Sequence, residues 1–204
     1  SEATAGTNIM LDDGIWEQQR TLNNRAFKWW GNGMTWLKGD SISITFYNSD
    51  TFYFLKITTC NNNYSSPDFY YCYIENVSGG GNYALRLDNC IVKTSLLLHN
   101  AGFRGINNCI LYDCTSAYGH YHPTKLNTFY NNIIIGKDPG FTGIFADYNN
   151  YTTLSIPTTN GANSHSINDA STGQTVADYF NNAALGDYTA KAGSANLGAG
   201  FNRH

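Results

Sequence analysis

The sequence predicts an all-β chain: a single-stranded right-handed parallel β-helix of roughly six to seven coils at about 20–25 residues each, with a short helix near the C-terminus. Three observations predict it. A polar-Asn step recurs ahead of short apolar strands, at Glu75-Asn76-Val77, Asp88-Asn89-Cys90-Ile91, Asn107-Asn108-Cys109-Ile110, Asn131-Asn132-Ile133-Ile134 and Tyr148-Asn149-Asn150-Tyr151. The second polar positions, Asn76, Asn89, Asn108, Asn132 and Asn150, lie 13, 19, 24 and 18 residues apart, as expected for a fixed strand stack joined by turns of variable length. Composition agrees, because 42% hydrophobic, 15% aromatic and 13% charged residues, with abundant Asn and Gly, suit short strands and polar turns better than helices.

Each strand of such a coil is too short to bury a core alone, so coils must stack at roughly 4.8 Å and place like residues in columns. Asn tolerates left-handed backbone angles at a corner, and the following Cys and Ile supply one small and one large inward side chain. Strands are expected at residues 7–11, 26–30, 35–37, 41–47, 51–58, 69–75, 84–87, 91–93, 95–98, 109–112, 128–129, 133–135 and 143–146, from alternating or continuous apolar character. Gly31-Asn32-Gly33, Gly79-Gly80-Gly81 and Asp138-Pro139-Gly140 punctuate them as turns. One helix is expected at Val176–Leu185, after a polar stretch at 160–175 that crosses the surface. The 204 residues are read as one domain, with entry coils at 1–40, central coils at 41–150 and a C-terminal loop and cap at 151–204.

Twelve Lys and Arg against 15 Asp and Glu give a formal charge of -3, which provides no basic field for nucleic acid or an anionic membrane. No apolar run approaches the roughly 20 residues of a membrane-spanning helix. The first residues show no basic segment followed by an apolar one, so no signal peptide is expected in this sequence. Cys60, Cys72, Cys90, Cys109 and Cys114 are odd in number and lack Cys-x-x-Cys spacing, so they read as free, buried, small apolar residues rather than as a disulfide framework or a metal site.

The segment Thr4-Ala5-Gly6-Thr7-Asn8-Ile9-Met10-Leu11-Asp12-Asp13-Gly14-Ile15-Trp16 resembles the entry of the pectin-lyase-like superfamily of parallel β-helices, which includes polysaccharide lyases and phage tailspike and virion surface proteins. Gly31-Asn32-Gly33-Met34-Thr35-Trp36-Leu37-Lys38-Gly39 resembles its next strand. The segment from Asp187 to Gly200 is similar to its closing Asp-Tyr-x-Leu-x-x-Gly-Ser-Pro segment, with Ala190 in place of Leu and no Pro after Ser194. The resemblance spans nearly the whole chain but lacks the helix that usually caps the N-terminal coil. A second subunit or further chain is therefore expected to cover that end.

The resemblance implies polysaccharide chemistry on one outward face, which the residues support unevenly. Hydrolysis needs paired carboxylates, yet Asp88, Asp113, Asp138 and Asp147 fall in different turns, and the neighbours Asp12 and Asp13 point to opposite faces in an extended chain. A lyase needs a base and a cation or metal beside a uronate carboxylate. Lys93, Arg104 and His120 are the candidates, with Arg86 and His99 nearby in sequence; Arg86 and Lys93 also fit ordinary solvent-facing strand positions. His120-Tyr121-His122 places two imidazoles on one face but offers no third ligand, so no metal or other cofactor is expected.

Trp29, Trp30 and Trp36 cluster early, and alternation turns at least one of Trp29 and Trp30 outward. Together with Tyr118, His120, Tyr121 and His122 they are the candidate contacts to a glycan or a subunit, or else an aromatic cap on the first coil. Asn63, Asn76 and Asn150 begin Asn-x-Ser/Thr triplets, which chance also provides in so Asn-rich a chain. The sequence thus leads to a structural surface protein, extracellular or on a virion, such as a phage capsid decoration, head fibre or spike module. Its expected partners are itself, as a homotrimer, other virion proteins, and a polysaccharide. A small polysaccharide lyase and a non-catalytic glycan-binding adhesin are the alternatives.

Overall fold

A computed structural model describes residues 7–17, 27–38, 50–62, 67–79, 85–98, 103–115, 128–136, 145–151, 167–168, 176–183 and 187–193. The chain is a parallel β-solenoid, and its sheet is built rung by rung. The first rung is β1 (Asn8–Met10) and β2 (Gly14–Glu17); the second is β3 (Lys28–Lys38) and the third β4 (Thr51–Asn62), each one long strand. Then follow β5 (Asp68–Tyr70) with β6 (Tyr73–Gly79), β7 (Leu85–Asp88) with β8 (Ile91–Leu98), and β9 (Phe103–Asn107) with β10 (Ile110–Thr115). The pairs β11 (Thr128–Tyr130) with β12 (Ile133–Ile135) and β13 (Phe145–Asp147) with β14 (Asn150–Tyr151) continue the stack, and β15 (Ile167–Asn168) adds to β14.

Two columns of parallel strands result, joined by a corner. In the first column Asn8, Lys28, Thr51, Asp68, Arg86, Gly105, Thr128 and Phe145 share one register position, and in the second Lys56, Tyr73, Ile91, Ile110, Ile133, Asn150 and Ile167 do. The number of coils differs slightly from the six to seven expected. Of the Asn steps read from the sequence, Asn89 and Asn108 fall on the corner, whereas Asn76 lies within β6, Asn132 one position past the corner and Asn150 at the start of β14.

Strand pleating sends alternate side chains inward, and the same register positions meet in every rung. Phe52, Phe69, Leu87, Ile106 and Phe129 make one buried ladder and Ile57, Ile74, Val92, Leu111, Ile134 and Tyr151 the other. The Phe52 and Phe69 rings stack at 5.0 Å and 13°. Each such side chain contributes about 1.5–3 kcal/mol of burial, and the core therefore runs along the axis instead of lying at a centre.

Between the ladders lies a smaller inward position, filled by Cys72, Cys90, Cys109, Asn132 and Asn149 in successive rungs. All are buried. Cys72 Sγ donates to Phe52 O at 3.6 Å and Cys90 Sγ to Phe69 O at 3.4 Å. The Asn132 and Asn149 Nδ2 groups donate to Ile106 O at 2.8 Å and Phe129 O at 2.7 Å. Cys and Asn thus make the same link to the preceding rung. Cys72, Cys90, Cys109 and Cys114 are free buried thiols. Burial pushes the Cys114 thiol up to about 12, which keeps it a protonated donor to Val92 O at 3.3 Å.

Several boundaries shift from the sequence reading. The expected strands 26–30 and 35–37 are one strand, β3, with an irregular register between Trp30 and Thr35. The expected strand 69–75 is divided at Tyr71, whose φ of 55° turns the corner. Strands 91–93 and 95–98 fuse as β8 across a register shift. The expected strand 41–47 lies outside the described residues. The helix expected at Val176–Leu185 is only α1 (Val176–Tyr179), because the chain then extends into β16 (Phe180–Asn182), antiparallel to β17 (Asp187–Ala190). That change of conformation buries Tyr179 and Phe180 against Ile135, with Ile110, Tyr112 and Ile133 beside them, and so covers an apolar strip on the outer side of the second column.

Candidate functional site

The outer side of the first column begins with aromatic residues. Trp30 stacks on Tyr53 at 3.9 Å and 10°, and Tyr53 on Tyr70 at 5.1 Å and 13°. The Arg86 guanidinium closes this stack 5.5 Å from the Tyr70 ring and bonds Asp88 at 3.1 Å. Arg104 pairs with Asp68 on the neighbouring column position. Burial nevertheless raises the Asp68 carboxyl above its ordinary value, opposed by Arg104 and Arg86. Because these rings lie face to face, they present their edges to solvent.

The corner residues between the two strand columns also line up from rung to rung. Phe54, Tyr71, Asn89, Asn108, Asn131 and Tyr148 all have φ between 54° and 58°. Left-handed backbone suits Asn, whose short amide bonds locally, and opposes a bulky ring by about 1–2 kcal/mol. Phe54 and Tyr71 stack at 5.1 Å and 11° and are 39% and 54% exposed. After Tyr71 the column drops to amides: Asn89 and Asn108 donate to Asp88 Oδ1 at 3.3 and 2.8 Å, and Asn131 donates to Asn108 Oδ1 at 2.8 Å. A raised aromatic ledge therefore borders a fixed row of amides.

The rungs beneath are clipped by side-chain oxygens. Asp50 is buried; its carboxylate accepts the Phe27 N–H at 2.7 Å and the Trp29 Nε1–H at 3.4 Å. Burial, opposed by those two bonds, raises this carboxyl to about 6.

The sequence-predicted residues divide as follows. Trp29 turns inward, packs on the core and stacks on Phe52 at 6.3 Å. Trp30 turns outward into the stack described above. Trp36 lies in β3, level with Ile15 and Lys56. Tyr118, His120, Tyr121, His122 and His99 lie outside the described residues, as does Asp138. Lys93 sits on the second column with its ammonium 5.7 Å from the Tyr112 ring, whereas Arg104 belongs to the first column and is engaged by Asp68. The structure thus places these two lyase candidates on different columns. Asp12 and Asp13 are exposed in the first turn, and Asp88 is buried among its donors.

Tyr53, Phe54, Tyr70 and Tyr71 were missed as site residues. Their signal is the triplet Phe52-Tyr53-Phe54 followed by Phe69-Tyr70-Tyr71, which repeats one inward, one outward and one corner ring. Among the described residues no group of three His, Cys, Asp or Glu side chains is placed to hold a metal. Of the Asn-x-Ser/Thr triplets, Asn150 is buried and the Asn76 amide donates to Thr58 O at 3.3 Å, while Asn63 lies outside the described residues.

No protein-family model matches the chain. Searches of curated proteins and of solved structures likewise find no match.

Proposed function

We propose that this chain is a structural surface protein, a rigid module that self-associates as a homotrimer and contacts glycans through an outward aromatic face. By the resemblance of its ends to right-handed pectin-lyase-like β-helices, we place it on a phage virion as a capsid decoration, head fibre or spike module. The observation that carries the reading is the aromatic face itself. Five rings, from Trp30, Tyr53, Phe54, Tyr70 and Tyr71, occupy the outer and corner positions of three consecutive rungs. Stability alone does not call for aromatic side chains at corner positions that Asn fills equally well three times later.

The cations read as lyase candidates support the same view, since Arg104 holds Asp68 and Lys93 lies beside the Tyr112 ring. Light scattering on the purified chain tests the proposal. A native mass of three chains is expected, and a stable monomer at all concentrations would overturn the self-associating part. Incubation with uronate polymers, followed by ultraviolet absorbance of an unsaturated product, is expected to show no product; its appearance would move the assignment to a lyase.

A further inference from the structure

We infer that the step between Tyr71 and Asn89 is a binding subsite for one pyranose ring of a neutral glycan that crosses the solenoid axis. The inference rests on the glycan-contacting part of the reading above and is independent of self-association. Among the described residues Tyr71 stacks on Phe54 alone, through one face. Its other face looks toward the next rung, where the corner residue is Asn89, an exposed amide held down by its bond to Asp88. The ring is therefore a wall, and Asn89 with Asn108 is the floor.

This differs from the other rings of the outer face. Tyr53 lies between Trp30 and Tyr70, and Tyr70 between Tyr53 and Arg86, so their faces are covered. Sugar rings pack their C–H faces on aromatic planes and direct hydroxyls sideways to amides, which is the combination that a wall and floor offer. A sugar ring packed on Tyr71 would lie about level with Asn89, about 4.8 Å along the stack, where the short amide leaves open the space that a corner ring fills in the preceding rung. A pyranose lying flat on Tyr71 has its plane across the axis, so the chain runs around the corner and not along the stack.

The floor is also pre-arranged. Asn89 and Asn108 share Asp88 Oδ1 as acceptor, and Asn131 holds Asn108, so the amides need little ordering on binding. Among the described residues the guanidiniums flanking the site are closed pairs, Arg86 with Asp88 and Arg104 with Asp68, and the Lys56 ammonium lies over the Tyr73 ring. Neutral sugars fit this surface better than acidic ones.

The test is calorimetric titration with cellohexaose, maltohexaose and mannohexaose, and with hexagalacturonate as the acidic comparison. At least one neutral hexasaccharide is expected to bind, more tightly than hexagalacturonate. Tyr71→Asn substitutes a residue already at home in this column, so the fold should persist while affinity falls by at least about tenfold. Tyr71→Phe should retain binding, because the face and not the hydroxyl is used. Asn89→Gly keeps the left-handed backbone, removes the amide and should weaken binding several-fold. Failure of all three neutral sugars to bind, or full affinity in Tyr71→Asn, would overturn the assignment. Native mass measured on each variant separates the two proposals: a trimer that dissociates in Tyr71→Asn would make the ring a subunit contact and overturn the subsite.

Discussion

The rungs of β3 to β6 and those of β7 to β14 solve one geometric problem with different residues. Both must turn a left-handed corner, fill a small inward position and give the backbone of the neighbouring rung a partner. The later rungs do so with neutral amides and thiols, Asn89, Asn108 and Asn131 at the corner and Cys90, Cys109, Asn132 and Asn149 inside, until Tyr148 returns a ring to the last corner. The earlier rungs use Phe54 and Tyr71 at the corner, and the clip to Phe27 is an ionisable carboxylate, Asp50. The backbone stack therefore tolerates wide chemistry at these positions. What changes is how much strain and how much pH dependence each half carries.

The sharpest way to break the comparison is to remove an amide from the later half. Asn132 Oδ1 accepts the Cys109 N–H at 2.9 Å, and its Nδ2 donates to Ile106 O at 2.8 Å and to Asn149 Oδ1 at 3.0 Å. Asn132→Ala leaves those buried groups without partners and should destabilise the fold by about 3 kcal/mol. Asn132→Cys should recover part of that loss, because Cys72 and Cys90 already fill the equivalent position with a donor to the preceding rung. Urea denaturation of the two variants checks the ranking; equal losses would show that the thiol is no substitute for the amide.

The earlier half should differ in its response to pH. Asp50 has a folded pKa raised to about 6 from an ordinary value of 3.8, principally by burial. Below 3.8 it is protonated in both states; between the two values only the folded chain holds the proton. Stability attributed to this group is thus greatest below 3.8 and is lost as pH rises through about 6. Asp68 is shifted in the same direction. The difference between wild type and Asp50→Asn isolates the clip: the stability gain of the wild type on acidification from pH 7 to 4 should shrink in the variant. An unchanged gain would assign it to other carboxylates.

Much of this architecture was legible in the sequence. The Asn-Cys-Ile recurrence gave the corner, the inward small residue and the strand at Asn89-Cys90-Ile91 and Asn108-Cys109-Ile110, because those three residue types each fit one backbone requirement. The first rungs were harder to read. Phe54 and Tyr71 occupy the Asn position against their conformational preference, so a search for turn residues passes over them, and β4 looks like one uninterrupted strand. Alternation alone required at least one of Trp29 and Trp30 to face outward, without saying which. The stack of Trp30 with Tyr53 and Tyr70 required knowing that Trp30, Tyr53 and Tyr70 share a register, which depends on turn lengths that the sequence leaves open.

The smallest effect decides what the aromatic corner is for. If Tyr71 stands there for stability, Tyr71→Asn loses its contact with Phe54 and should unfold earlier. If the ring is kept for what it binds, relief of the left-handed strain should offset the lost contact, leaving a change within about 1 kcal/mol of zero. The reverse exchange, Asn89→Tyr, would extend the Phe54–Tyr71 stack by one ring while adding the same strain and removing a donor to Asp88. It should therefore destabilise by about 1 kcal/mol or somewhat more. Thermal melting of the two variants under one condition supplies both signs. A clear stabilisation by Asn89→Tyr would mean that stacking outweighs corner strain, and the aromatic half would then be the better-built half of the solenoid rather than one adapted to a ligand.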